Sequence, residues 1–267
     1  IEQIGSYLLG EKKLHTAIKL NPTLIGSEGL RQILSLMGFD TIVPPIAFEH
    51  DLKYEDAISI IKNLQNLANQ NNLQFTLKLT NTLESSNNKD VFPSTQDMMY
   101  MSGRALHPIA INVAAKLQNE FNGALDISFC GGVNAMNVSE VLSCGFSPIT
   151  VSSDLLKPGG YGRLNQYIEE LRLMFEGYRA TSINDFAIRR AGLQSTDVKK
   201  CELKNLNQYA EKVLLSMDYR RISIHAPSIK TSRPLGYFDC IFAPCEDTCS
   251  TNQDLSLIHI SEPTRPY

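Results

Sequence analysis

Between residues 14 and 176 the chain repeats one pattern. A short apolar, β-branched run is followed by a longer stretch whose apolar residues recur every three to four positions. The runs at 15–20, 41–48, 75–80, 126–130 and 148–151 read as strands, and the stretches 27–37, 54–70, 106–121, 138–144 and 162–175 read as helices. Within 54–70, for instance, Ala57, Ile60, Ile61, Leu64, Leu67 and Ala68 share one helical face. Strands alternating with helices at this spacing must run parallel and join by right-handed crossovers. Five or six such units fit an open doubly wound sheet or part of a (β/α)8 barrel. No G-x-G-x-x-G or Walker A string follows any strand, which argues against the nucleotide-binding open sheets. A full barrel takes roughly 250 residues and this region supplies about two-thirds of that. The expectation is therefore an α/β chain with an incomplete TIM-type barrel over 1–176 that lacks its first strands.

Composition narrows the function classes. Lys and Arg number 25 against 28 Asp and Glu, a net charge of −3, so electrostatics do not favour nucleic acid or an anionic membrane surface as a partner. Hydrophobic residues make up 43% and charged residues 20%, too apolar for a disordered chain. No apolar run reaches the roughly 18–20 residues that span a bilayer. The chain opens on Ile1 without a charged region leading into an apolar one, so the expectation is a cytoplasmic fragment with no signal peptide.

The pattern changes after residue 176. Residues 177–235 read as a helical and linker segment, with a short amphipathic helix at 203–217 and an Arg-, Pro- and Ser-rich stretch at 220–234. Residues 236–254 then open a second domain carrying Cys240-x4-Cys245-x3-Cys249. Without a secretory signal, a disulfide framework is the weaker reading of clustered thiols and a metal site the stronger one. Structural zinc commonly uses C-x2-C pairs, which this cluster lacks, so iron–sulfur is the stronger reading, with zinc and unligated thiols as the alternatives. The segment 255–267, LSLIHISEPTRPY, resembles the translation of a sequencing adapter and is left out of the fold reading.

Two strand ends match in register. Lys19-Leu20, Thr23-Leu24 and Lys78-Leu79, Thr82-Leu83 coincide, and period-2 alternation puts Lys19 with Asn21, and Lys78 with Thr80, opposite their aliphatic neighbours. In a barrel that face points inward, and its C-terminal end forms the active-site mouth. A lysine there needs an anion or polar ligand unless it reaches solvent from the rim. Gly131-Gly132 closes the strand at 126–130, and Ser152-Ser153 follows the strand at 148–151; a helical segment comes after each. Such turns let backbone approach a phosphate and offer it helix N-terminal N–H groups.

Lys78-Leu79-Thr80, Ser102-Gly103-Arg104-Ala105-Leu106-His107-Pro108, Gly131-Gly132 and Val151-Ser152-Ser153 together resemble the FMN barrel of dihydroorotate and dihydropyrimidine dehydrogenases. The strings KLNPTLIG (19–26), KLTNTL (78–83), MYMSGRAL (99–106) and LLKPGGY (155–161) are more similar still to the selenate reductase subunit family. That family joins such a barrel to a glutamate synthase-like iron–sulfur domain. The resemblance implies an oxidoreductase in which Lys78 contacts FMN, with Lys19, Asn21, Thr80 and Asn81 beside it. Ser102, Gly103, Gly131, Gly132, Ser152 and Ser153 would then hold the phosphate. It further implies 4Fe–4S clusters ligated in part by Cys240, Cys245 and Cys249, and FAD and NAD(P)H farther along the parent protein. The implied partner is a molybdenum-hydroxylase-type redox subunit.

The sequence also departs from the dehydrogenases. Met99 and Tyr100 replace their Gly-Gly, Tyr237 and Ser250 replace a Cys and a Pro of the cluster pattern, and 42–51 lacks the catalytic Cys or Ser. His50 is the neutral-pH proton carrier of that stretch and the candidate catalytic residue. The rival expectation is a degenerate barrel that binds no flavin and serves as a docking scaffold in a redox complex.

Overall fold

The computed structural model of the chain describes residues 1–88, 95–221 and Ser250. Helix α1 (Glu2–Ser6) runs on into a π-helical turn, Tyr7–Glu11, and strand β1 (Thr16–Leu20) follows. After a 3-10 turn at Pro22–Ile25 come α2 (Ser27–Leu36), α3 (Pro45–His50) and α4 (Tyr54–Gln70). Strand β2 (Phe75–Leu79) leads to a hairpin of β3 (Leu83–Ser86) and β4 (Met98–Met101), then to α5 (Gly103–Glu120). Strand β5 (Ile127–Cys130), α6 (Val138–Ser143) and β6 (Ile149–Thr150) complete the sheet, and α7 (Leu164–Tyr178), α8 (Ile183–Ala191) and α9 (Val198–Leu215) follow.

Strands β1, β2, β5 and β6 form one parallel sheet in that order, with helical crossovers between them. The α/β expectation holds, and four of the five strands read from sequence are present. Alternation sorts their two sides. Ile18, Leu20, Leu77, Leu79, Ile127 and Phe129 are buried, and α4 and α5 pack against β2. On the other side Ala17 and Lys19 are exposed, while Thr76 and Lys78 are half-buried. Phe129 stacks on Phe146 at 4.9 Å between ring centres near the middle of the core. Among the described residues no helix is long and apolar enough to cross a membrane.

The strand expected at 41–48 does not form. Pro44 and Pro45 lack the N–H donors a strand needs, and Pro45, with its φ preset, starts α3 instead. One bond, from Ser86 N–H to the Ile42 carbonyl (2.9 Å), ties the segment ahead of α3 to the hairpin. The hairpin has no counterpart in the sequence reading, because its antiparallel strands interrupt the βα rhythm.

Part of the stretch expected as a helical and linker segment is integral to this core. Ser182 caps α8 by accepting from Asp185 N–H at 3.1 Å, and Asp197 caps α9 by accepting from Lys200 N–H at 3.2 Å. Helix α9 buries Cys201, Asn205, Leu206, Tyr209, Ala210 and Val213 on one face and packs against α5 and α8. It begins five residues before the helix expected at 203–217, at the Asp197 cap. The three clustered cysteines and the segment 255–267 lie outside the described residues, so the expectations attached to them carry no structural account here.

Candidate anion-binding site at the strand ends

Hydrogen bonds, strand register and close backbone contacts place most of the sequence-predicted residues at the C-terminal ends of the parallel strands. At the ends of β1 and β2, Asn81 N–H donates to the Leu20 carbonyl (2.9 Å), and Asn81 Nδ2 donates to Asn21 Oδ1 (2.5 Å). Asn21 Nδ2 in turn donates to Asp51 Oδ1 (2.5 Å), and Thr23 Oγ1 donates to Asp51 Oδ2 (2.6 Å). Asp51 is thus the carboxylate that orients the asparagine pair, and sequence reasoning passed over it in favour of its neighbour. His50 is exposed at the end of α3 and makes no hydrogen bond to this cluster among the described residues. Helix α3 ends at His50 and the chain leaves it in extended backbone at Asp51 (φ −80°, ψ 156°), a change invisible in a segment read as strand, and this separates the bonded Asp51 from the exposed His50.

Lys19 and Lys78 are direct register partners on neighbouring parallel strands, and Lys78 is also paired with Ser128. Adjacent strands lie about 4.8 Å apart, so two ammonium groups share one side of the sheet. Among the described residues neither has a carboxylate within salt-bridge distance. Where aliphatic side chains usually fill a barrel interior, this side carries two unneutralised cations. Thr80 adds an unpartnered group: it is 3% exposed, and among the described residues its Oγ1 has no hydrogen-bond partner. Its backbone N–H donates to the Cys130 carbonyl (3.0 Å), and Cys130 Sγ donates to the Thr80 carbonyl (3.3 Å), which ties the end of β2 to the residue before the Gly131-Gly132 turn.

The three expected phosphate-type turns also meet. Gly132, at φ +66°, lies so close to the start of α5 that an added Cβ would stand 2.3 Å from the Gly103 carbonyl oxygen. A Cβ on Gly103, at φ +62°, would stand 3.2 Å from Ser153 Cβ. Both positions need left-handed backbone and both lack room, so glycine is required twice over. Ser102 sits at the N-cap of α5 without a side-chain cap bond, which leaves the first N–H groups of an 18-residue helix for another acceptor. Ser152 is exposed beside this point.

Two buried polar groups brace the turns. Asp154, 4% exposed, is held by Arg163 through Nε to Oδ2 and Nη2 to Oδ1, both 3.1 Å, and by Tyr167 Oη at 2.8 Å and Lys157 Nζ at 3.1 Å. Burial by itself would raise the Asp154 pKa; the bonds from Arg163, Tyr167 and Lys157 outweigh it and hold the carboxyl below the usual range. Behind Gly131, the ring of His107 is fully buried, with Nδ1 2.6 Å from the Gly131 carbonyl and Nε2 2.7 Å from Tyr209 Oη. Burial drives the His107 pKa down to about 4 against a smaller opposing effect of the Gly131 bond, so the ring is neutral at pH 7. His107 stood in a quoted motif, but its role depends on Tyr209, which no local pattern connects to it.

Among the described residues no group of three or more His, Cys, Asp or Glu is placed to hold a metal ion. What the strand ends assemble is a candidate anion site with paired lysines, glycine-lined backbone and a buried hydroxyl without a partner among the described residues.

Residues 1–221 match the family described as "Oxidoreductase YgfK, N-terminal TIM-barrel domain". Two curated relatives, each named "Putative oxidoreductase YgfK", from Escherichia coli K12 and from Escherichia coli O157:H7, are 40% identical over 257 residues. The match covers 96% of this chain and 23% of each relative, so the chain spans under a quarter of their length. No solved structure matches.

Proposed function

Because the chain belongs to the YgfK oxidoreductase family and corresponds to its N-terminal TIM-barrel domain, we propose that its strand-end site holds the phosphate and ring of FMN. The observation that carries the reading is the convergence of Gly103, Gly132 and Ser153 beside the Lys19–Lys78 pair. The residues present fit the group. The Thr80 hydroxyl, buried and without a partner among the described residues, is one that a ring carbonyl or nitrogen would satisfy.

In this reading the α5 N-terminus and the Gly131-Gly132 turn bind the phosphate through backbone N–H groups, with Gly103 allowing the close approach. Lys78 supplies positive charge at the ring, with Lys19 beside it, and Asn21 and Asn81, fixed by Asp51, present amide groups at the same mouth. When bound, FMN would supply hydride or electron transfer at its ring, and a cation there favours the reduced, anionic form. Asp51 and His50 are the nearest groups in sequence able to hold a proton, and the Asp51 bonds to Asn21 and Thr23 give it the positioning role.

For the parent protein the same reading extends to electron transfer from NAD(P)H through FAD and 4Fe–4S clusters, in which Cys240, Cys245 and Cys249 take part. The barrel flavin or a molybdenum-hydroxylase-type partner subunit would then receive the electrons. Met99 and Tyr100, drawn into hairpin strand β4 where the dehydrogenases have Gly-Gly, favour a second reading: a flavin-free docking scaffold.

The full-length protein separates the two. Under the flavin reading it purifies with FMN, and Lys78→Met weakens FMN retention and lowers the flavin potential. A loss of about 1.4 kcal/mol of differential stabilisation corresponds to roughly 30 mV for a two-electron couple. A full-length protein that carries FAD and clusters but never takes up FMN establishes the scaffold reading instead.

A further inference from the structure

We propose that Tyr209 and Tyr219, on elements far along the chain from the Gly131-Gly132 turn, are positioning residues that aim its backbone N–H groups at the bound phosphate. The inference rests on the FMN reading above and deepens it. A single hydrogen-bonded chain links the two glycine carbonyls. The Gly131 carbonyl can only accept, so His107 Nδ1 carries the proton and donates to it (2.6 Å). In the neutral ring Nε2 then has only a lone pair, so Tyr209 Oη donates to it (2.7 Å). That uses the Tyr209 proton, so in the pair at 3.1 Å it is Tyr219 that donates to Tyr209. Tyr219 Oη is left to accept from Asn137 Nδ2 (3.1 Å), whose second hydrogen goes to the Gly132 carbonyl (3.0 Å). Asn137 Oδ1 closes the account by accepting from Asn134 N–H (2.8 Å). Each donor direction follows from the one before, and no group in the chain is left unsatisfied.

The consequence lies in the peptide planes. In a trans peptide the carbonyl and the next N–H point in opposite directions. Drawing the Gly131 and Gly132 carbonyls into the polar core therefore turns the Gly132 and Val133 N–H groups away from it. Among the described residues those two N–H groups have no hydrogen-bond partner. Glycine at φ +136° and +66° has wide freedom to rotate these planes, and the buried chain removes it. Residues on α9 and on the 3-10 turn Met217–Tyr219 thus set the donor geometry of a loop after β5.

The test is the ratio of FMN to riboflavin affinity in the deflavinated full-length protein, measured by flavin fluorescence quenching. Riboflavin lacks only the phosphate, so a residue with a purely structural role lowers both affinities together. Tyr209→Phe, which cuts the chain at His107, is expected to weaken FMN about tenfold and leave riboflavin within twofold. Tyr219→Phe leaves the His107–Tyr209 bond in place and is expected to shift the ratio by a smaller factor, which keeps the test open if Tyr209→Phe folds poorly. If the wild type prefers FMN and both variants keep its ratio, the positioning inference fails while the FMN reading stands. If the wild type itself shows no preference for FMN over riboflavin, the phosphate reading and the inference fall together.

Discussion

Replacing His107 with asparagine removes a titrating ring from the core while keeping an amide near the Gly131 carbonyl, and the difference in acid sensitivity measures how deeply that ring is buried. The ring is fully buried with a pKa of about 4, against 6.5 for an ordinary histidine. Around it stand Tyr209, Tyr219, the Phe129 edge and the Gly131 carbonyl, and among the described residues no carboxylate hydrogen-bonds to it. Between those two pH values the unfolded chain binds a proton that the native state refuses, so stability is full above 6.5 and falls as the pH drops toward 4. The slope approaches about 1.4 kcal/mol per pH unit, and the loss from pH 7 to pH 4.5 comes to about 2.5 kcal/mol. Urea unfolding of the wild type and His107→Asn at pH 7, 6, 5 and 4.5 gives the comparison directly. The variant starts less stable, having lost the Tyr209 bond and some packing, but its curve should be flatter by that amount. Other histidines and the surface carboxylates cancel in the difference. Asp154 does not confuse the result: its pKa is lowered, so its contribution is lost only as the pH falls below the ordinary 3.8. Parallel curves for the two proteins from pH 7 to 4.5 would show that the ring is not held neutral, and the donor order derived from its neutrality would fall with it.

Two further outcomes test the site from opposite directions. Gly132→Ala places a Cβ 2.3 Å from the Gly103 carbonyl in a left-handed backbone; it should cost about 2–4 kcal/mol in urea unfolding and abolish FMN retention, and an unaltered variant would disprove the close contact of the two turns. Thr80→Val removes the unpartnered buried hydroxyl, so the flavin-free protein should melt at the same or a higher temperature, with up to about 1 kcal/mol gained, while flavin affinity drops. A loss of stability without flavin would mean the hydroxyl has a partner in the protein itself.

The sequence by itself determined the parallel sheet and the two lysines on its open side, since both follow from local rules. Period-2 burial along TAIKL and FTLKL puts Lys19 and Lys78 opposite Ile18 and Leu77 whatever the chain does elsewhere. The glycine turns were legible for the same reason: a dipeptide such as Gly131-Gly132 tolerates backbone angles few other residues reach. What surrounds them was not. Pro44-Pro45 turned an apolar stretch from strand to helix, and with it the facing carboxylate became Asp51 where His50 had been expected. Only tertiary structure could bring Tyr209 to His107, 102 residues away, and Tyr219 to Asn137, 82 residues away. A hydroxyl earns a partner by the packing of α9 on α5, a contact between two amphipathic faces that neither helix's own pattern specifies. Apolar burial chooses the faces without direction; the buried hydrogen bonds, which must each find a donor or acceptor, decide how those faces are finally set against each other.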